Sequence, residues 1–213
     1  MKKILFLLIP LFLACGHHSS STNVNLIIDT SGYVLLKHTN YQILYDTINK
    51  CPIWSEYILT KNQTKPETRS EFGYDPLLPE RVQQNNECYK KLNEQLEQGD
   101  EVGKNFTFDK GHLSNYEDLG SESMLFTNIS FQNSHFNQNQ WLSLENYTRK
   151  LALQNDSLIV RTGITFNDSV ISGINIPSYY WKRIIIKATH DTLIYIMPNK
   201  ASDLDYTHYL LPR

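Results

Sequence analysis

The run Asp109-Lys110-Gly111-His112 is followed, after Asn128, by Asn137-Gln138-Asn139-Gln140-Trp141-Leu142-Ser143-Leu144-Glu145-Asn146-Tyr147-Thr148-Arg149-Lys150-Leu151. In the second run Trp141, Leu144, Thr148 and Leu151 recur with a period near 3.6. That predicts a helix over Asn137 to Gln154 whose stripe packs on a sheet. Asn137 lies at the N-terminal end of the stripe, and Glu145 and Arg149 fall along one flank. Working outward, Tyr41–Tyr45 and Ile53–Leu59 read as strands, with Asp46 to Pro52 as a hairpin connection. Beyond the helix, Ser157–Thr165, Tyr180–Lys187 and Thr192–Met197 are rich in β-branched and aromatic residues and read the same way. Lys61 to Glu80, with Pro66, Pro76 and Pro79, is a long ordered loop carrying Arg69. Asn86 to Gln98 is a second helix, with Gly99 suited to terminate it.

At 213 residues and 24.8 kDa the chain suits one globular domain once a leader is removed. Met1-Lys2-Lys3 precedes an apolar run from Ile4 to Ala14, too short to span a bilayer and typical of a secretory signal. Leu13-Ala14-Cys15 resembles a bacterial lipobox, so residues 1–14 are expected to be a lipoprotein signal peptide and Cys15 the lipidated first residue; ordinary secretion is the alternative. Residues 15–37, including the polar stretch His17 to Thr22, would be tether and lead-in, with the folded domain at 38–213. This implies a bacterial cell-envelope protein, periplasmic or surface-exposed, that meets the membrane only through its lipid. Cys51 and Cys88 remain as an even pair, able to form a disulfide if their Cα atoms lie within roughly 7 Å. The formal charge of −2 excludes a surface that coats nucleic acid indiscriminately, but not a local basic cleft.

Phosphodiester hydrolysis needs an activated water, a cation on the phosphate and stabilisation of the leaving oxygen. His112 is the candidate base, because a neutral imidazole takes a proton near neutral pH. The amide of Asn137 can bind a hard divalent cation that keeps most of its waters. Arg69, Lys110 and Arg149 are candidate phosphate contacts. Each residue also has a simpler reading. A histidine after glycine is commonly a turn residue, Glu145 and Arg149 make an i, i+4 ion pair, and Asn128 and Asn137 can cap turns or helices.

Several separated blocks recur in an order that resembles one family. They are Tyr41–Asp46 with Pro52-Ile53-Trp54, Thr68-Arg69, Tyr74-Asp75-Pro76, Asp109–His112, Thr127–Gln132, Phe136–Glu145 and Ile176–Lys182. Together they resemble the DNA/RNA non-specific endonucleases of the ββα-metal or His-Me finger type. The resemblance implies an α+β fold, a central antiparallel sheet flanked by helices, with the finger formed around His112 and the Asn137 helix. It implies His112 as general base, Asn137 as direct ligand of Mg²⁺ (Mn²⁺ or another divalent cation serving instead) and Glu145 as holder of metal-bound waters. Arg69 would stabilise the transition-state phosphate, Asn128 would orient groups around His112, and Arg149 would add charge at the scissile phosphate. Products would carry 5′-phosphate ends, and the substrates would be DNA and RNA. Lys110 departs from the family's Asp-Arg-Gly-His pattern, keeping the charge but losing the bidentate fork. That departure leaves a second reading, a non-catalytic envelope lipoprotein of the same fold that binds nucleic acid or a protein partner. Oligomeric state, a homodimer included, is open.

Overall fold

The computed structural model describes residues 32–62, 69–98, 107–167, 170–171 and 174–212. The expected signal peptide, Cys15 and the tether to residue 31 lie outside these described residues.

Strands β1 (Tyr33–Lys37), β2 (Tyr41–Asp46) and β3 (Cys51–Thr60) open the chain as an antiparallel meander. The sheet therefore starts at Tyr33, ahead of the expected boundary at residue 38, because Val34 and Leu36 alternate into the core. The β2–β3 connection is tied by Asp46, whose Oδ1 accepts from the Ile48 N–H (2.8 Å) and the Asn49 N–H (2.9 Å). Helix α1 (Asn86–Gln98) buries Tyr89, Leu92 and Leu96, its apolar stripe. That stripe lies against β4 (Phe108–His112) and β5 (Ile129–Asn133), an antiparallel pair in which Gly111 faces Ser130 and His112 faces Ile129. A short helix α2 (Tyr116–Leu119), N-capped by Asn115, links the two strands.

The chain then enters helix at Ser134, earlier than the expected Asn137, because the Asn133 side chain caps the Phe136 N–H at 3.1 Å. A single turn α3 (Ser134–Phe136) passes into a π-helical segment, Asn137–Trp141, and then α4 (Leu142–Asn155). The predicted stripe of Trp141, Leu144, Thr148 and Leu151 is buried throughout. Strands β6 (Ser157–Thr165), β7 (Val170–Ile171), β8 (Ile174–Asn175), β9 (Tyr179–Ile186) and β10 (Thr192–Pro198) follow.

One antiparallel sheet has the order β1-β2-β3-β6-β9-β10. Its inner face carries Tyr41, Tyr57, Val160, Ile184 and Tyr180, which meet Phe136, Trp141, Leu144 and Leu151 from the helix. Burial of these side chains, at about 25 cal/mol per Å² of apolar surface, helps hold the helix on the sheet. Ser55, Thr162 and Lys182 lie opposite one another on β3, β6 and β9, forming a buried polar row beneath the finger. Cys51 and Cys88, a pair whose bridging the sequence left open, are both free. Cys51 belongs to the sheet core and Cys88 packs on the α1 cluster.

Candidate active site

The β4–β5 pair, α2 and the head of the long helix enclose one pocket of about 220 Å³, lined among others by Arg69, His112, Asn115, Asn137 and Glu145. Four residues expected to act together thus share a wall, although they are spread over seventy-six positions of sequence.

His112 ends β4, and its backbone path is fixed by Asn128. The Asn128 Oδ1 accepts from Ser114 N–H (2.9 Å), its Nδ2 donates to the carbonyls of Ser114 (2.8 Å) and Ser123 (2.9 Å), and its own carbonyl takes the Leu113 N–H at 2.9 Å. Asn128 is fully buried, so the loss of any of these bonds would strand a polar group. Ser114 in turn bonds the Ser55 hydroxyl, which couples the strand end to the polar row of the sheet. The imidazole itself lies 5.1 Å from the Phe72 ring, with Nε2 3.3 Å from the Met124 sulfur. Burial, reinforced by the Arg69 cation, pushes its pKa down to about 3. His112 is therefore neutral near pH 7, the form that accepts a proton.

Asn137 is positioned by the first residue of the 109–112 run. Asp109 Oδ2 accepts from Asn137 Nδ2 (2.8 Å) and Gln138 Nε2 (2.9 Å), while Oδ1 accepts from Ser134 Oγ (2.8 Å). One carboxylate thereby staples β4 to the helix head and commits the nitrogen end of the Asn137 amide. Its oxygen is left as the atom that could face a hard cation. Glu145, nearly buried, lines the same pocket; burial raises its pKa, opposed by the charge of Lys182 and a hydrogen bond from Asn115. Among the described residues no cluster of three or more His, Cys, Asp or Glu side chains is arranged for a metal. An amide oxygen with one carboxylate nearby is an oxygen donor pair of the kind that suits a hard ion retaining its waters.

Arg69 is exposed, with its guanidinium carbon 5.3 Å from the centre of the Tyr116 ring. The other two expected phosphate contacts do not line this pocket. The Lys110 ammonium sits 5.1 Å from the centre of the Phe72 ring, and burial, followed by repulsion from Arg69, lowers its pKa. Arg149 turns away from Glu145, so the simple i, i+4 ion pair is replaced: Nη1 reaches Asp118 at 3.3 Å and Nη2 donates to Asn146 at 2.7 Å. Asp118 is buried and also accepts from Tyr57 at 2.5 Å, which makes it the stronger attractor for the guanidinium.

Lys182 had no role in the sequence reading. It is almost fully buried, with its ammonium 4.7 Å from the Trp141 ring centre; burial lowers its pKa, and Glu145 and Asp118 oppose that shift. Its inward place in the alternation of β9 was the available signal. Asn115 was likewise missed, and the N-cap pattern before Tyr116-Glu117 marked it.

The family of DNA/RNA non-specific endonucleases matches residues 19–212 of the chain. Mitochondrial endonuclease G from Bos taurus is 28% identical over 130 residues, covering 49% of this chain and 44% of that protein. The Homo sapiens protein of the same name is 27% identical over 130 residues, with the same coverage of 49% and 44%. The matched stretch thus spans less than half the length of these relatives. A crystal structure of an EndoG/EndoGI complex, concerned with the mechanism of EndoG inhibition, aligns with a TM-score of 0.66 at 19% identity. It covers 84% of this chain and 80% of that one, a likeness of fold.

Proposed function

The chain belongs to the DNA/RNA non-specific endonuclease family, and from that premise we propose that it is a nuclease that hydrolyses phosphodiester bonds of both DNA and RNA, with a divalent cation, to 5′-phosphate ends. The observation that carries the reading is the single pocket shared by His112, Arg69, Asn137 and Glu145.

In this reading the neutral His112 takes the proton of an attacking water at Nδ1, the ring nitrogen not facing Met124. Asn128 keeps the imidazole from swinging by holding the backbone on either side of Ser114. Arg69, exposed at the pocket rim, draws the phosphate in and offsets the charge that grows on its oxygens. Asn137 would hold Mg²⁺ through its amide oxygen and Glu145 would hold the ion's waters. When bound, the cation supplies charge neutralisation at the phosphate and an acid for the departing 3′ oxygen. Contacts of this kind go to the backbone of the substrate, which leaves base sequence unread. Anchoring at the cell envelope through Cys15 remains part of the proposal and rests on the sequence pattern alone.

Incubating the protein with plasmid DNA and with RNA, in Mg²⁺ and in chelator, tests the reading. Cutting should need the metal, and His112→Ala should lower turnover about 10²- to 10⁴-fold, the range for loss of a general base. Cutting that persists unchanged in His112→Ala would sink the assignment of the base. No cutting by the parent protein across several metals would favour a binding protein of the same fold.

A further inference from the structure

Beside the pocket a second groove of about 380 Å³ runs along α4. Leu142, Asn146, Arg149 and Leu153, spaced four, three and four apart, form one helical face along it, with Lys61 and Asp118 on the opposite wall. Leu142 and Leu153 are 43% and 66% exposed and bracket that face with apolar surface. Between them the Arg149 guanidinium is fixed at both ends, by Asp118 and by Asn146. The groove and the His112 pocket share Leu142 and Glu117 in their linings, so they are immediate neighbours. Glu145 and Arg149 are separated by about 6 Å of helix rise, comparable with a single nucleotide step along an extended strand.

The chemistry of the groove distinguishes between parts of a nucleotide. Asp118 already takes up much of the Arg149 charge, Lys61 is paired with Asp156, and Glu117 adds an anion, so a second phosphate gains little there. A nucleobase gains more, because leucine side chains cover its apolar face and a flat, immobilised guanidinium stacks on its π system. We propose that this groove is a subsite for the base adjoining the scissile phosphate, and that it favours single-stranded nucleic acid over duplex. A base in a duplex must leave its stack before it can enter, which costs a few kcal/mol. The inference rests on the nuclease reading of the neighbouring pocket and adds to it a strand preference.

The test uses two uncharged replacements at Leu153, which does not line the His112 pocket, and measures binding in chelator by fluorescence anisotropy. Labelled oligothymidylate and a labelled duplex of the same length are the probes. Leu153→Gln should weaken binding of the single strand roughly fivefold, and Leu153→Phe should tighten it by a similar factor, from the change in contact area. Duplex affinity, set by backbone contacts, should move less than twofold in both. Equal changes on both probes, or no change on the single strand, would overturn the subsite. Metal-dependent nicking of plasmid DNA by the parent protein separately reports the nuclease reading. Its absence across several metals would remove that reading while leaving the binding comparison decisive for the groove.

Discussion

Replacing Gly111 by alanine probes the closest backbone approach in the site. A Cβ at this position would lie 2.8 Å from the Gln132 Cδ, with Gln132 Oε1 and Cβ nearer still. Ordinary contact begins near 3.5 Å, so β4 and β5 would have to separate by roughly 1 Å. Gln132 has little room to swing aside, because it is fully buried. Overpacking of this kind costs about 1–3 kcal/mol. For a chain of this size about 2 kcal/mol lowers Tm by roughly 4–8 °C. The displacement falls between Asp109, which holds Asn137, and His112, so geometry suffers along with stability. A misplacement of about 1 Å can cost up to 10²-fold in rate. Thermal denaturation followed by circular dichroism, with plasmid nicking well below Tm, measures the two effects. Trimming the neighbour gives a graded check: Gln132→Ala removes the Oε1 and Cδ clashes but keeps Cβ, so it should rescue Gly111→Ala only in part. Gln132→Gly should clear the remaining clash. An unchanged Tm and rate in Gly111→Ala, or full rescue by Gln132→Ala, would refute the reasoning.

Asp109→Asn should leave the fold intact but loosen Asn137, weakening Mn²⁺ binding about 10- to 100-fold, as losses of outer hydrogen-bond partners do; metal titration by electron paramagnetic resonance reads this without catalysis. The Asp75 carboxyl is opposed by burial, yet hydrogen bonds from His38 and Thr127 outweigh it and hold the pKa below its ordinary value. A group held low when folded contributes stability above its unfolded pKa of about 3.9, and that contribution is lost as pH falls through the folded value. Urea midpoints should therefore drop steeply below roughly pH 4, and Asp75→Asn should flatten that drop while lowering the plateau above it. Burial and the nearby Asp46 raise the Cys51 pKa to about 12, so in the native protein this thiol should resist iodoacetamide near pH 8 until urea unfolds the sheet. Mass spectrometry of the labelled peptides would show it, and early labelling of Cys51 would contradict its burial.

Local pattern decided much of the architecture. α1 and β6 fall at their expected limits because helix formers in one case and β-branched residues in the other leave little competition. The helix start was displaced by a cap, Asn133, which stands outside the apolar period. Arg149 shows the limit more plainly. Its sequence neighbour at the right helical spacing is Glu145, but its partner is Asp118, thirty-one residues away and buried by Tyr57. No periodicity carries that information, since it arises when α2 meets α4. Lys182 is similar: a lysine in a strand reads as surface until the sheet's inner face is found to pass beneath Trp141. Whether Cys51 and Cys88 pair was open in the sequence for the same reason, since the fold sorts them into two different cores.

The π-helical segment at Asn137–Trp141 can be understood as a phase adjuster. Eight residues separate Asn137 from Glu145, and at about 100° per residue a regular α-helix would leave them some 80° apart around the axis. The Leu142 N–H instead returns to the Asn137 carbonyl five residues back, and each residue in so wide a turn contributes less rotation. The shortfall accumulates over the turn and closes much of the gap, so both side chains reach one pocket. Drawing the same residues into a regular α-helix would give better backbone hydrogen bonding. It would also set the amide and the carboxylate on different meridians of the rod. The irregular turn is thus the point at which local helix stability and the alignment of the site pull in opposite directions.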